Sequence, residues 1–149
     1  MNNVDIEKLL SLEGYDTPER RRRRKNSEVN TQEYFTPYSI VNRMADKISD
    51  DDWSDPSKTF CDPCFGNGQF IVYIIWRRLQ SGIPYLQVLS TTYGVELMQD
   101  NVQECHDRIF NLLDLMGIEY DHEAVTKILQ HNLVCSDFFH WDFIEWKPI

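Results

Sequence analysis

Long apolar runs are missing from this chain of 149 residues. The longest, Phe70 to Trp76, falls far short of the roughly 20 residues that a membrane-spanning helix needs. A basic leader followed by an apolar stretch is missing too. The chain opens Met1-Asn2-Asn3-Val4-Asp5, and no signal peptide is read there. These absences predict a soluble, cytoplasmic protein without membrane contact. Positive charge is scarce: 15 Lys and Arg stand against 24 Asp and Glu, a net charge of −9. Six of the basic residues form one run, Arg20 to Lys25, which leaves nine against 24, or −15, for the rest. Nucleic-acid phosphates repel an acidic body of this kind. DNA contact is therefore expected only through Arg20–Lys25 or through a partner.

Cysteine is limited to Cys61, Cys64, Cys105 and Cys135. With no secretory signal, all four are expected to stay reduced. Cys61-Asp62-Pro63-Cys64 has the C-x-x-C form, but no second pair completes a zinc set. Cys105-His106 is an isolated doublet, and His122, His131, Cys135 and His140 are scattered. No metal site is expected, and the thiols are read as small core residues near a strand. Apolar side chains, by contrast, are plentiful. A content of 42% hydrophobic and 13% aromatic residues excludes global disorder. The length suits one domain with a core, burying roughly 68–70% of the unfolded surface.

Asp5 to Leu12, with Ile6, Leu9 and Leu10 apolar, predicts a short helix. Glu13 to Asn30 is poor in apolar residues and reads as an exposed linker. Its basic run is either a nucleic-acid contact or a solvated tether. Residues 1–30 are thus an N-terminal helix and basic linker, and 31–149 form the main domain. Thr36 and Pro37 predict a helix start, with Phe35 and Ile40 as a hydrophobic staple. Ile40, Val41, Met44, Ala45 and Ile48 follow at helical spacing. Ser49 to Ser57 reads as a loop.

Thr59-Phe60-Cys61 predicts a strand ending at Asp62-Pro63, followed by the turn Phe65-Gly66-Asn67-Gly68. Gln69 to Leu79 is ambiguous, because Ile71-Val72-Tyr73-Ile74-Ile75 suits a strand. Its length and the preceding glycine favour a buried helix. Thr91 to Glu96 predicts a second strand. Val102, Cys105, Ile109, Leu112, Leu113 and Met116 mark an amphipathic helix closed by Gly117. Asp121 caps a helix with Val125, Ile128 and Leu129, and Leu133-Val134-Cys135 predicts a third strand. Strands alternating with helices imply right-handed crossovers and a parallel sheet, an α/β fold.

All three strands end at or near an acid: Asp62, Glu96 and Asp137. Ligands of open parallel sheets bind beyond the carboxyl ends of the strands. Any one such acid reads most simply as a helix cap. Three of them beside a Gly-x-Gly turn point to a polar or cationic ligand. The turn lacks the third glycine of a dinucleotide fingerprint, since Ile71 stands there. Asp62 directly before it disfavours a pyrophosphate and suits an ammonium group. A ligand with an ammonium end and an adenosine end fits. Glu96 would accept the ribose hydroxyls, and Asp137 with Phe138 would take the adenine.

Four segments in order resemble the cofactor-binding half of S-adenosylmethionine-dependent DNA adenine-N6 methyltransferases, of the type I modification-subunit and phage kind. They are Gln32-Glu33-Tyr34-Phe35-Thr36-Pro37, Asp62-Pro63-Cys64-Phe65-Gly66-Asn67-Gly68-Gln69-Phe70, Tyr93-Gly94-Val95-Glu96-Leu97 and Cys135-Ser136-Asp137-Phe138-Phe139. The resemblance covers about residues 31–143. It implies a partial Rossmann-like class I methyltransferase fold with S-adenosylmethionine as cofactor, in a restriction–modification setting. It would place Tyr34, Phe35 and Thr36 on the methionine side. Asp62, Pro63, Phe65, Gly66, Gly68 and Phe70 would belong to the glycine-loop floor, with Asp62 near the amino group. Glu96 would hold ribose and Leu97 would pack on adenine. Asp137 would bond the adenine amino group beside Phe138.

In that family an Asn/Asp-Pro-Pro-aromatic motif grips the flipped-out target adenine. No Asn-Pro-Pro or Asp-Pro-Pro occurs here, and Trp146-Lys147-Pro148-Ile149 stands where the strand leading to it is expected to begin. No catalytic residue is therefore assigned. Three functions remain open. The chain is the cofactor-binding portion of an enzyme completed by a second chain, domain or copy. Alternatively it binds the cofactor alone, sequestering it or regulating a methyltransferase. The third is an enzyme acting on the cofactor itself.

Overall fold

The computed structural model describes residues 2–25 and 33–149. The expected boundary at residues 30 and 31, and Gln32 of the first motif, lie outside the described residues. In chain order the elements are α1 (Ile6–Leu9), α2 (Pro18–Lys25), α3 (Tyr38–Ala45), α4 (Asp50–Ser54), β1 (Phe60–Asp62), α5 (Gln69–Gln80), α6 (Tyr85–Ser90), β2 (Thr92–Glu96), α7 (Gln99–Leu115), α8 (His122–Asn132) and β3 (Leu133–Cys135). A 3-10 turn over Phe138–His140 leads to a small hairpin of β4 (Trp141–Asp142) and β5 (Lys147–Pro148).

The three strands form a parallel sheet in the order β1-β2-β3, flanked by helices. Phe60 pairs with Thr92, and Glu96 pairs with Cys135. The mixed α/β architecture expected from the sequence is thus present. The β5 residues pair with β4 and not with the parallel sheet.

The β-branched segment of α5 is helical because the tertiary setting outweighs propensity. Ile71, Val72 and Ile75 are fully buried, and the helix packs against α7, β1 and β2. Cys105, Ile109, Leu112 and Leu113 of α7 face it across the same core. Asp121 caps α8 as expected, its Oδ1 accepting from the Ala124 amide at 3.1 Å.

Several local readings are corrected. The first helix is shorter than Asp5–Leu12, with Asp5 as its cap. In α3 the cap position belongs to Pro37, and the Thr36 side chain does not cap. Ser49–Ser57 is not simply a loop. Ser49 Oγ accepts from Asp52 N, and three aspartates favour the first turn of α4 through the helix dipole. That turn buries Trp53, which stacks on Phe60 at 5.0 Å. Cys105 alone of the thiols is buried; Cys61, Cys64 and Cys135 are exposed.

The largest correction concerns the basic run. It is a docked helix, not an exposed linker. Thr17 Oγ1 accepts from the Arg20 amide at 3.2 Å, and Pro18 occupies the first turn, where its missing N–H costs nothing. Arg20 is only 5% exposed and pairs with Glu104 of α7. Arg23 pairs with Glu33 and Asp100, and Arg24 with Asp16. No helix among the described residues is long and apolar enough to cross a membrane.

Candidate functional site

Glu96 closes β2 and is 8% exposed. Its Oε1 accepts from the Gly66 amide at 3.1 Å. Its Oε2 accepts from the Met98 amide and from Asn101 Nδ2, both at 3.0 Å. A carboxylate offers about four lone-pair positions, so these three donors leave one open. Glu96 therefore ties the glycine turn to the start of α7 and keeps residual acceptor capacity.

The two glycines of the turn have separate reasons. Gly66 sits at φ 58°, and a Cβ there would lie 3.3 Å from the Phe35 ring. Gly68 sits at φ 96°, and its Cβ would lie 2.5 Å from Cys105 Sγ, so it permits close approach of α5 and α7. Packing explains Gly68 without a ligand.

Asp62 closes β1, and its Oδ1 accepts from the Cys64 amide at 3.1 Å. Burial pushes the Asp62 carboxyl above the ordinary carboxylate range. The Cys64 bond opposes this, and the Glu96 charge adds to it. No ion pair reaches Asp62 or Glu96 among the described residues. The Cys64 thiol is raised by burial and then by the fields of Asp62, Glu96 and Asp137 together. Asp137 is partly engaged in capping: its Oδ1 accepts from Phe139 N at 2.9 Å.

A cleft of about 210 Å³ opens at these strand ends. Of the residues expected at a site, Tyr34, Phe35, Pro63, Gly66, Glu96, Leu97, Asp137 and Phe138 line it. Glu33, Cys64, Met98 and Ser136 line it as well. Thr36 does not; its carbonyl accepts from Gln69 Nε2 at 2.9 Å. Phe65 is buried in the core and Gly68 lies against Cys105. Asp62 and Phe70 line a neighbouring cleft of about 280 Å³ with Trp53 and Tyr73. A depression of about 630 Å³ between Asn3 and Leu115 is larger, but none of the strand-end acids reaches it.

Sequence reasoning missed the polar groups behind the cleft. Asn101 is fully buried and donates to Glu33 Oε1 at 2.6 Å as well as to Glu96. Its Oδ1 accepts from Arg20 Nη2 at 2.7 Å. Arg108, also buried, donates to the Asn67 carbonyl at 3.0 Å and to Gln69 Oε1 at 2.7 Å. It thereby fixes the turn from behind. Arg108 had a visible signal: it lies on the same helical face as Cys105, Ile109 and Leu112, where a charge must find partners. The Asn67 amide is fully buried on the turn, with neither side-chain atom hydrogen-bonded among the described residues.

No group of three or more His, Cys, Asp and Glu among the described residues is arranged to hold a metal ion. The chain matches no family model, no curated protein and no solved structure.

Proposed function

We propose that this chain is the S-adenosylmethionine-binding portion of a DNA adenine-N6 methyltransferase, with a partial Rossmann-like fold, completed for methyl transfer by a second chain, domain or copy. The observation that carries the reading is the pairing of Glu96 with the Gly66 amide beside the uncompensated, raised carboxyl of Asp62. An acid at the β2 end with one acceptor position open suits a ribose hydroxyl. A half-buried carboxyl without a counter-ion, lining the adjoining cleft, suits an ammonium group.

At about 210 Å³ the cleft is smaller than the roughly 300–1,000 Å³ of typical small-molecule pockets. The cofactor would fill it and extend over its rim, where Tyr34 and Leu97 are exposed. Tyr34 and Phe35 would flank the methionine end, and Leu97, Asp137 and Phe138 the adenine. This setting is cytoplasmic, that of a host cell if the chain is phage-encoded.

A partner is supported by the edge of the sheet. Phe60 N bonds to Thr91 O, so the alternating backbone groups of Cys61 turn away from β2. Two clefts share Cys61 and Pro63 at that edge. DNA contact would fall to the partner or to the exposed Arg22 and Lys25 of the basic run, since Arg20, Arg23 and Arg24 are already paired within the chain. The same cleft also admits a second reading, a stand-alone cofactor binder. Transfer of tritiated methyl groups to adenine-rich DNA, with and without a candidate partner, separates the two. The enzyme reading expects transfer only with the partner. Binding with no transfer in any combination supports the second reading.

A further inference from the structure

We infer that α2 is a clamp on the strand-end site: Arg20 and Arg23 hold Glu33 and Asn101, and Asn101 in turn fixes the orientation of Glu96. As a statement about ligand affinity this rests on the cofactor reading above; as a statement about Glu96 it stands on the hydrogen bonds alone.

The Asn101 carboxamide is the centre of the device. Its oxygen accepts from Arg20 at 2.7 Å, so its amino group must face the other way. There its two hydrogens reach two carboxylates, Glu33 at 2.6 Å and Glu96 at 3.0 Å. Two acids this close repel unless a donor separates them and a cation offsets one of them. Arg23 supplies the cation, bonding both oxygens of Glu33 at 3.0 and 2.5 Å and Asp100 at 2.7 Å. Hydrogen bonding to Glu33 is the largest cause that raises the Arg23 pKa above its ordinary value, which holds the guanidinium charged.

Glu33, Glu96 and Asn101 are each less than one-tenth exposed, so water does not replace a lost partner cheaply. Without the clamp, Glu96 keeps only its two backbone donors and gains a buried like charge beside it. Gly66 and Met98 then lose a well-placed acceptor. Asn101 and Arg23 are positioning residues: neither lines the cleft, and both act through Glu96.

The test reads Glu96 directly. Residue-resolved amide hydrogen exchange is measured at Gly66 and Met98, with Val72 of α5 as the reference. The full chain is compared with Asn101→Leu, Asn101→Asp and Arg23→Gln. The clamp predicts exchange at Gly66 and Met98 about tenfold faster in the Asn101 variants and about threefold faster in Arg23→Gln, with Val72 unchanged. If Asn101→Leu does not fold, the other two variants carry the test. Unchanged exchange at Gly66 and Met98, or an equal rise at Val72, overturns the inference. S-adenosylmethionine affinity, measured by calorimetry on the same proteins, is expected to fall in the same order. An unaltered chain that binds no cofactor overturns the cofactor reading, and the exchange data still decide the clamp.

Discussion

The Gly66 amide donates to Glu96 Oε1 across 3.1 Å, joining the turn after β1 to the end of β2. A structural tie and a candidate ligand acceptor therefore share one carboxylate, and substitutions there have two separable effects.

Glu96→Ala leaves the Gly66 and Met98 amides and Asn101 Nδ2 without their acceptor. Stability is expected to fall by about 1–3 kcal/mol, the cost of leaving buried groups unpaired. Cofactor binding is expected to weaken by about 1–3 kcal/mol, with Glu96→Gln milder in both. Urea denaturation and calorimetry on the same samples separate the two losses.

Gly68→Ala is expected to destabilise the fold by about 2–4 kcal/mol, through the left-handed backbone and overlap with Cys105. Cys105→Ala in the same chain should restore only part of this. It removes the sulfur 2.5 Å away but leaves the Cys105 Cβ position at 3.1 Å. Denaturant midpoints of the single and double variants check it.

Asp62 gives a pH dependence whose sign follows from its raised carboxyl. The folded chain holds this proton more tightly than the unfolded chain. Its contribution to stability is full below the ordinary carboxylate value and is lost as pH rises through the folded pKa. Above the folded pKa the ionised group therefore costs stability. Asp62→Asn, which keeps an oxygen for the Cys64 amide, is expected to be more stable than the natural chain at pH 7. The gain should vanish in acid. The same variant is expected to bind the cofactor more weakly. Melting curves across pH, paired with calorimetry at pH 7, check both.

The basic run divides by burial. Arg20→Gln leaves the half-buried Glu104 without its cation and Asn101 Oδ1 without its donor, and is expected to cost about 1–3 kcal/mol. Arg22 is exposed, and Arg22→Gln is expected to change stability by no more than about 0.5 kcal/mol. Equilibrium unfolding of the two variants distinguishes a docked helix from a tether.

Where a segment carried its own periodicity, the sequence was readable. The spacing of Val102, Cys105, Ile109 and Leu112 and the Asp121 cap act over short range, and the three strand-end acids show by their place after short apolar segments. Elements fixed by distant partners were not readable. Arg20 meets Asn101 and Glu104 from 81 and 84 residues away, so a run of arginines reads as solvated until α7 is in place. Thr17-Pro18 was nevertheless a helix start visible in the sequence. α6 passed unread because its six residues are too few to show a period. Within the site, the acids stood out by position. Asn101 and Glu33 work through contacts between elements, which no local pattern displays, and Arg108 shows in the sequence only as a charge on the apolar face of α7.

Calorimetric titration of the full chain with S-adenosylmethionine tests the central claim most directly. One site is expected, with affinity lowered in Glu96→Ala and in Asp62→Asn while both variants remain folded. No heat and no thermal shift at millimolar cofactor would contradict it.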